Sequence, residues 1–262
     1  MNILDKIIET KKAEVAQRKS EVSIEQLEKH PFFSRECNSL RKNLLKKNAS
    51  GIIAEFKHKS PSKGEINGNA KVEEITKAYV EAGVSCLSVL TDYEYFGGTL
   101  TDLTKARETN PNIPILRKDF MIDKYQIVEA KAHGADVILL IAACLSKEKA
   151  LTLAQKAKQL GLDVLMEIHN AEELDIVNDF VDVVGVNNRN LKIFKTNIET
   201  SVELGKLIPE KFVKISESGL KGADEIKHLK QHGFKGFLIG ETFMKTDNPG
   251  EACKGLIEEI RE

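Results

Sequence analysis

From residue 51 onward, short apolar runs rich in β-branched residues alternate with longer amphipathic stretches. The runs are IIAEFK (52–57), CLSVL (86–90), PILRKDF (114–120), DVILLIA (136–142), DVLMEI (163–168), DVVGVNN (182–188), FVKISES (212–218) and GFLIGE (236–241). Their length and composition read as strands, and segments such as KVEEITKAYVEAG and SKEKALTLAQKAKQLG read as helices. Several helical segments end in glycine just before the next strand, the usual helix stop. Eight strand–helix units in about 210 residues fit a single closed (β/α)8 barrel of α/β class better than an open sheet. No G-x-G-x-x-G follows a strand, which leaves a dinucleotide-binding doubly wound fold without support.

Residues 1–48 precede the first strand and read as an N-terminal helical extension of two or three helices, with polar joints at 20–23 and 30–31. The expectation is an extension packed over one end of a catalytic barrel at 49–262. Ile3, Leu4, Ile7 and Ile8 fall on one helical face, as in a docking helix. The first segment lacks an apolar signal core and mixes acids with bases, so a secretory or transit peptide is not expected.

Charge narrows the partners. Lys and Arg number 39 against 40 Asp and Glu, for a formal net charge of -1. That balance argues against nucleic acid or an anionic membrane as the main partner, although a local basic cleft stays open. No run approaches the roughly 20 apolar residues of a membrane span, and no apolar stripe announces an obligate protein partner. Four scattered cysteines without a C-x-x-C pair or a histidine at ligand spacing predict neither a zinc site nor a disulfide framework. Reduced thiols and a cytoplasmic location follow as the expectation. Cys86 and Cys144, within apolar runs, read as buried and inert. His228 and His232 have helical i, i+4 spacing but no third ligand, so they read as surface residues and no metal is predicted. His169 follows the fifth strand too closely for parity to assign it, and reads as a supporting or surface residue.

In a barrel of this kind the active site forms at the C-terminal ends of the strands. Polar residues crowd there: Glu55 and Lys57 on the first strand, Lys118 on the third, Glu167 on the fifth, Asn187 on the sixth with Arg189 just beyond, Glu217 and Ser218 on the seventh. Alternation sharpens the set, because each shares a face with an apolar or small row: Ile53 with Glu55 and Lys57, Leu116 with Lys118, Leu165 with Glu167, Val183 and Gly185 with Asn187, Ile215 with Glu217. The same parity sends Arg117 and Asp119 to the helix-facing side as a structural ion pair. Two lysines and three carboxylates around one mouth can shift one another's pKa values, as acid–base catalysis at neutral pH requires. A ring of mutually neutralising salt bridges is the competing reading, strongest for Glu55. After strands seven and eight, SESGL and IGETF place small residues where this fold commonly holds phosphate through backbone N–H groups. Ser218, Gly219, Gly240 and the amide of Glu241 are the candidates, with the Glu241 side chain turned away; simple turn chemistry is the alternative.

These residues resemble a known family. AEFKHKSPSKG, LRKDF, MEIHN, GVNNRNL, SESG and IGE are similar, in order and over essentially the whole chain, to motifs of indole-3-glycerol phosphate synthase, an enzyme of tryptophan biosynthesis. The resemblance implies a carboxy-lyase without cofactor or metal, acting on a small phosphorylated substrate. That substrate, 1-(2-carboxyphenylamino)-1-deoxyribulose 5-phosphate, closes to indole-3-glycerol phosphate with loss of CO2 and water. Carried onto matching positions, Lys118 is the general acid toward the substrate carbonyl, and Glu167 stabilises the cationic intermediate or moves protons. Lys57 binds the substrate carboxylate, with Glu55 as partner or base. Asn187 orients hydroxyls, Arg189 positions the site, Glu217 completes the ring of charge and Ser60 is a further contact. Phe96 and Phe120 are candidates for the anthranilate slot or for core. Family members often place a tryptophan in the first helix over that slot, and this chain has none. Either Ile7 and Ile8 form a looser cover or the helix contributes less. The loop at 60–64, stiffened by Pro61 and loosened at Gly64, suits a lid. Two other readings are a phosphosugar enzyme of the phosphoribosylanthranilate isomerase kind, which wants a Cys/Asp pair at strand ends, and a phosphosugar-binding protein without catalysis.

Overall fold

In the computed structural model, which describes residues 3–61, 63–190 and 195–262, the apolar runs become eight parallel strands closed into a barrel. They are β1 (Ile52–Phe56), β2 (Cys86–Leu90), β3 (Ile115–Lys118), β4 (Val137–Ile141), β5 (Asp163–Ile168), β6 (Val183–Asn187), β7 (Val213–Glu217) and β8 (Gly236–Ile239). Each pairs with the next, and β8 returns to β1 with Ile52 opposite Phe237, so the sheet has no free edge. Six of the strands stop one or two residues before the ends of the predicted runs, and β2 and β5 end with them. Lys57, Asp119, Phe120, Asn188, Ser218 and Gly240 therefore lie just beyond the strands, above the barrel, and Glu241 opens a short helix, Glu241–Met244. Ser62 and Leu191, which belong to the motifs quoted above, lie outside the described residues.

The alternation read from the sequence separates two cores. Ile53, Leu116, Val137, Leu139, Leu165, Val183, Val213, Ile215 and Leu238 fill the barrel interior. Residues of opposite parity, such as Ala54, Ile115, Ile138, Val164 and Val184, pack against the surrounding helices. A one-residue slip in any strand would exchange these faces, so the interior apolar row fixes which side chains reach the mouth. Above β1, Lys59–Ser60 pairs antiparallel with Gly64–Glu65. Gly64, with φ +70°, sits on the returning arm of this hairpin, not in the middle of an open loop.

Residues before β1 form α1 (Ile3–Glu21), α2 (Ile24–Glu28) and α3 (Leu40–Leu44). They reach both ends of the barrel, where the sequence suggested one. Leu40 and Leu44 of α3 join the interior apolar cluster. Arg35 meets the buried Asp136, just before β4, at 2.7 Å, and Asp136 also pairs with Arg107. At the other end, Ile3, Leu4 and Ile7 of α1 line the central cavity. Ile8 does not join them; it faces a separate cleft beside Ile122 and Leu145. Among the described residues no helix is long and apolar enough to cross a membrane.

What holds α1 over the mouth is charge. Lys11 is fully buried, with Nζ 2.9 Å from Asp92, 2.9 Å from Asp119 and 2.7 Å from Glu14. Asp119 also accepts from Arg117 Nη2 at 3.0 Å and Thr91 Oγ1 at 2.7 Å, and Arg117 reaches Glu129 at 2.9 Å. The expected Arg117–Asp119 pair is thus one link in a larger network. Burial opposes the Lys11 charge, but the surrounding carboxylates outweigh it and hold its pKa above the ordinary lysine value. Removing one member of such a network leaves buried charge uncompensated. Lys11→Met, which keeps most of the bulk, is expected to lose about 3–5 kcal/mol in urea unfolding. A loss below about 1 kcal/mol, the range of exposed pairs, would show that the clamp does not carry this load.

Candidate active site

A cavity of about 590 Å³ opens at the C-terminal ends of the strands, beneath α1. Glu55, Lys57, Phe96, Lys118, Phe120, Glu167, Asn187, Arg189, Glu217, Ser218, Gly219, Gly240 and Glu241 all line it. Ser60 does not. It is buried next to the hairpin turn, opposite Gly64, with Oγ unpartnered among the described residues, while Pro61 and Lys63 of the turn reach the cavity.

At the centre stands Lys118. Its side chain is 15% exposed, and Nζ donates to Glu167 Oε2 at 3.0 Å and to Glu217 Oε2 at 2.9 Å. Burial disfavours the ammonium, but Glu167, Glu217 and Glu55 outweigh that penalty and hold its pKa well above the ordinary value. The two carboxylates part in the same field. For Glu167, burial opposes ionisation, yet Lys118, His169 and Asn187 overcome it and push the pKa down. Glu217 is pushed up: burial raises it, Lys118 only partly compensates, and Glu167 and Glu55 add like charge. Beside them Lys57 Nζ donates to Glu55 Oε1 at 2.8 Å. These five groups, two ammonium and three carboxylate, are arranged as a pair and a triad.

Two of the carboxylates occupy space that a glycine leaves open. A Cβ at Gly240 would stand 2.5 Å from Glu55 Oε1 and 3.0 Å from Glu55 Cβ. A Cβ at Gly185 would stand 2.4 Å from Glu217 Oε1. Gly240 has negative φ, so the missing side chain, not a special backbone angle, is what this position requires.

The walls differ in character. Phe96 and Phe120, with ring centroids 6.2 Å apart, form an apolar wall with Leu139, Ile141 and the α1 residues Ile3, Leu4 and Ile7. Another part of the lining brings together the turns after β7 and β8. Ser218 is the one non-glycine residue with positive φ among the described residues, at +68°, and Gly219 follows at +77°. Asn188 supports this strained turn: its Nδ2 donates to Ser218 O at 3.0 Å and to Ser216 Oγ at 2.9 Å. Thr242 Oγ1 donates to Leu220 O at 2.9 Å, tying the two turns together. Lys63, Lys221 and Lys245 add positive charge to the lining, and the Glu241 carboxylate lies 3.9 Å from Lys63. A slot for a flat apolar group, a central acid–base cluster and a basic turn-rich region suit a substrate that is aromatic at one end and anionic at the other.

Sequence reading missed Lys11, Asn188 and the cavity-lining lysines 63, 221 and 245. Asn188 was readable as the outward-facing partner in the Asn187–Asn188 pair. The loop lysines carry no periodic signal. His169, left unplaced by parity, stands behind Glu167, with Nε2 3.3 Å from Glu167 Oε1. Cys86 is buried and its thiol pKa is pushed up; the half-buried Cys144 is pushed up to about 12 by burial and nearby carboxylates. Neither is poised as a nucleophile. The His228 and His232 rings lie 4.7 Å apart, tilted by 56°, and no group of potential metal ligands occurs among the described residues.

The chain is 40% identical to indole-3-glycerol phosphate synthase of Polynucleobacter asymbioticus, over 97% of this chain and 98% of the relative. It is 48% identical to the protein of that name from Bacteroides thetaiotaomicron, over 99% of each chain. Among solved structures, 3-hexulose-6-phosphate synthase from Salmonella typhimurium matches with TM-score 0.65 at 12% identity, covering 80% of this chain and 98% of that one. Tryptophan synthase subunit alpha from Legionella pneumophila matches with TM-score 0.61 at 16% identity, covering 85% and 96%. At such low identity these two speak for the barrel alone. The profile described as indole-3-glycerol phosphate synthase matches residues 4–256, and the chain belongs to that family.

Proposed function

We propose that the Lys118–Glu167–Glu217 triad performs the acid–base chemistry of the family's reaction, with the substrate spanning the cavity from the phenylalanine wall to the paired turns. The reaction is the closure of 1-(2-carboxyphenylamino)-1-deoxyribulose 5-phosphate to indole-3-glycerol phosphate, with loss of CO2 and water, in tryptophan biosynthesis. The observation that carries this assignment is the Lys118 ammonium held between two carboxylates inside a cavity with both an apolar wall and a basic lining.

Attack by an aromatic ring carbon on a ketone is slow unless the carbonyl oxygen receives a proton as the bond forms. Lys118 supplies it. An ammonium so firmly held gives up its proton only to a stronger base, which the oxygen becomes during attack. The same step leaves positive charge on the anilino system, and Glu167 and Glu217 stabilise it across a site that excludes water. Departure of CO2 restores the aromatic ring. Lys57 binds the substrate carboxylate before this step and donates to the hydroxyl that leaves afterwards, with Glu55 orienting its ammonium and serving as base. Asn187 and Arg189 orient the sugar hydroxyls. Phe96 and Phe120 flank the anthranilate ring, roofed by Ile3, Leu4 and Ile7 in place of a tryptophan. The phosphate rests on Ser218, Gly219, Gly240 and the amide of Glu241, with Lys221 and Lys245 close by. Ser60 supports the hairpin, which closes over the substrate. We place this chemistry in the cytoplasm.

Lys118→Ala is expected to lower turnover by at least about 100-fold while leaving affinity for a phosphate-bearing product analogue nearly unchanged. Near-normal turnover of that variant, measured by indole fluorescence, would remove Lys118 from the acid role. Glu217 gives a pH-dependent test. Its carboxyl is pushed from an ordinary value near 4.5 up to about 7, so its charge costs stability in the folded state. That cost is absent below the ordinary value, grows as pH rises through the window, and is complete above the raised value. Glu217→Gln should therefore melt higher than the parent at pH 8, with the advantage shrinking steadily toward pH 4.5. An advantage that is constant, or larger in acid, would contradict the assignment.

A further inference from the structure

The reaction does not conserve protons. The substrate carboxylate leaves as neutral CO2. One proton goes onto the attacked carbonyl oxygen, a second accompanies the departing hydroxyl as water, and one returns from the carbon beside the nitrogen. One proton must therefore be drawn from solvent in every turnover. Lys118 lines a cavity roofed by α1, and in the proposed binding mode the substrate covers it on the cavity side. A reloading route that avoids the substrate has to run through the carboxylates behind it.

Among the described residues, only one of those carboxylates leads outward to a second titratable donor. Glu167 accepts from Lys118 at Oε2, 3.0 Å away, and its Oε1 lies 3.3 Å from His169 Nε2, a buried atom that makes no hydrogen bond among the described residues and is aimed at this carboxylate. On its other side, His169 Nδ1 lies 3.3 Å from Glu173 Oε2, an oxygen that also accepts from the His169 amide at 2.7 Å. The remaining Glu173 oxygen accepts from the exposed Asn170 Nδ2 at 2.8 Å. The His169 and Glu173 side chains are mostly covered, and the exposed Asn170 beside Glu173 brings the chain of groups to the protein surface, on the side away from the cavity lining. His169 is outside the set of residues that line the cavity, so it serves no substrate directly.

We propose that His169 is a proton-relay residue, carrying solvent protons from the Glu173 side through Glu167 to recharge Lys118. The proposal rests on the general-acid reading of Lys118. When Lys118 becomes a neutral amine, Glu167 loses its counter-charge and gains basicity. The His169 imidazolium passes its Nε2 proton to Oε1 of the Glu167 carboxylate, and the carboxyl group turns to hand that proton to the amine. The imidazole, left with its proton on Nδ1, flips to bring the bare nitrogen to the Glu173 side, where water reprotonates it. The charged groups facing His169 favour its loaded form. Burial opposes the imidazolium, but the hydrogen bond to Glu173 and the charges of Glu167, Glu173 and Glu217 overcome that and raise its pKa. Cys144, from the turn after β4, lies in the field of Glu167, Glu173 and Asp5 of α1, and its thiol stays neutral there.

The test uses two variants of the full-length enzyme. His169→Ala opens space beside Glu167, and His169→Gln keeps most of the bulk and the polar contacts without a titratable proton. Both should keep the parent KM and have kcat lowered about tenfold or more in dilute buffer. In His169→Ala, kcat should climb with imidazole concentration at fixed pH and ionic strength and then saturate, whereas tetramethylammonium chloride restores nothing. A merely structural histidine would give no dependence on the proton-donating buffer. Parent-like kcat for His169→Gln, or a loss in a folded His169→Ala that imidazole fails to restore, overturns the relay. Should His169→Ala not fold, His169→Gln decides alone by its kcat. Failure of the relay with Lys118→Ala still inactive leaves the general acid in place, so the two readings fail separately.

Discussion

A closed barrel can bury an ammonium group only if carboxylates meet it there, and the mouth of this one is built around that constraint. Lys118 draws β3 together with Glu167 of β5 and Glu217 of β7, strands that share no backbone hydrogen bonds. Below this level the apolar side chains of Leu116, Leu165 and Ile215 fill the barrel and leave no room for water. In so dry a setting two carboxylates cannot share one cation equally. Glu167 also has His169 and Asn187 to favour its charge, whereas Glu217 sits against Glu55 as well as Glu167. The asymmetry gives the site one carboxylate that stays ionised and one that titrates near neutrality.

The helices before the barrel follow similar physics on a larger scale. Buried acids at opposite ends, Asp119 and Asp136, are met by cations from this segment, Lys11 and Arg35. Asp119 lies next in sequence to Lys118. The network that holds the roof is thus joined through one peptide bond to the residue at the centre of the site, and a disturbance in α1 has a short path to the chemistry.

Much of this was legible in the chain. The strand–helix rhythm marked all eight strands, and period-two alternation separated Lys118 from Arg117 before any geometry was known. That works because an interior row has one parity and an apolar barrel tolerates no slip. The signal fails where periodicity ends. Ser60 lies in a hairpin whose pairing no local pattern announces, and Lys63, Lys221 and Lys245 are on turns. Lys11 escaped because a charged residue in an amphipathic helix ordinarily faces water; only the acids that gather from β2 and β3 turns make its burial tolerable. His169 escaped for the reason that parity lapses one residue past a strand. Ile8, grouped with Ile7 by helical spacing, shows that a broad apolar arc can serve two separate clefts.

The glycines at 185 and 240 have a wider meaning. Each vacancy is filled from a neighbouring strand, Glu217 into the first and Glu55 into the second. Position and counterpart are therefore a single unit of inheritance, although far apart along the chain. A descendant that acquires a methyl group at 240 can retain this architecture only by shortening residue 55 as well, and a redesign that transplants the acids without their hollows would import charges with nowhere to sit.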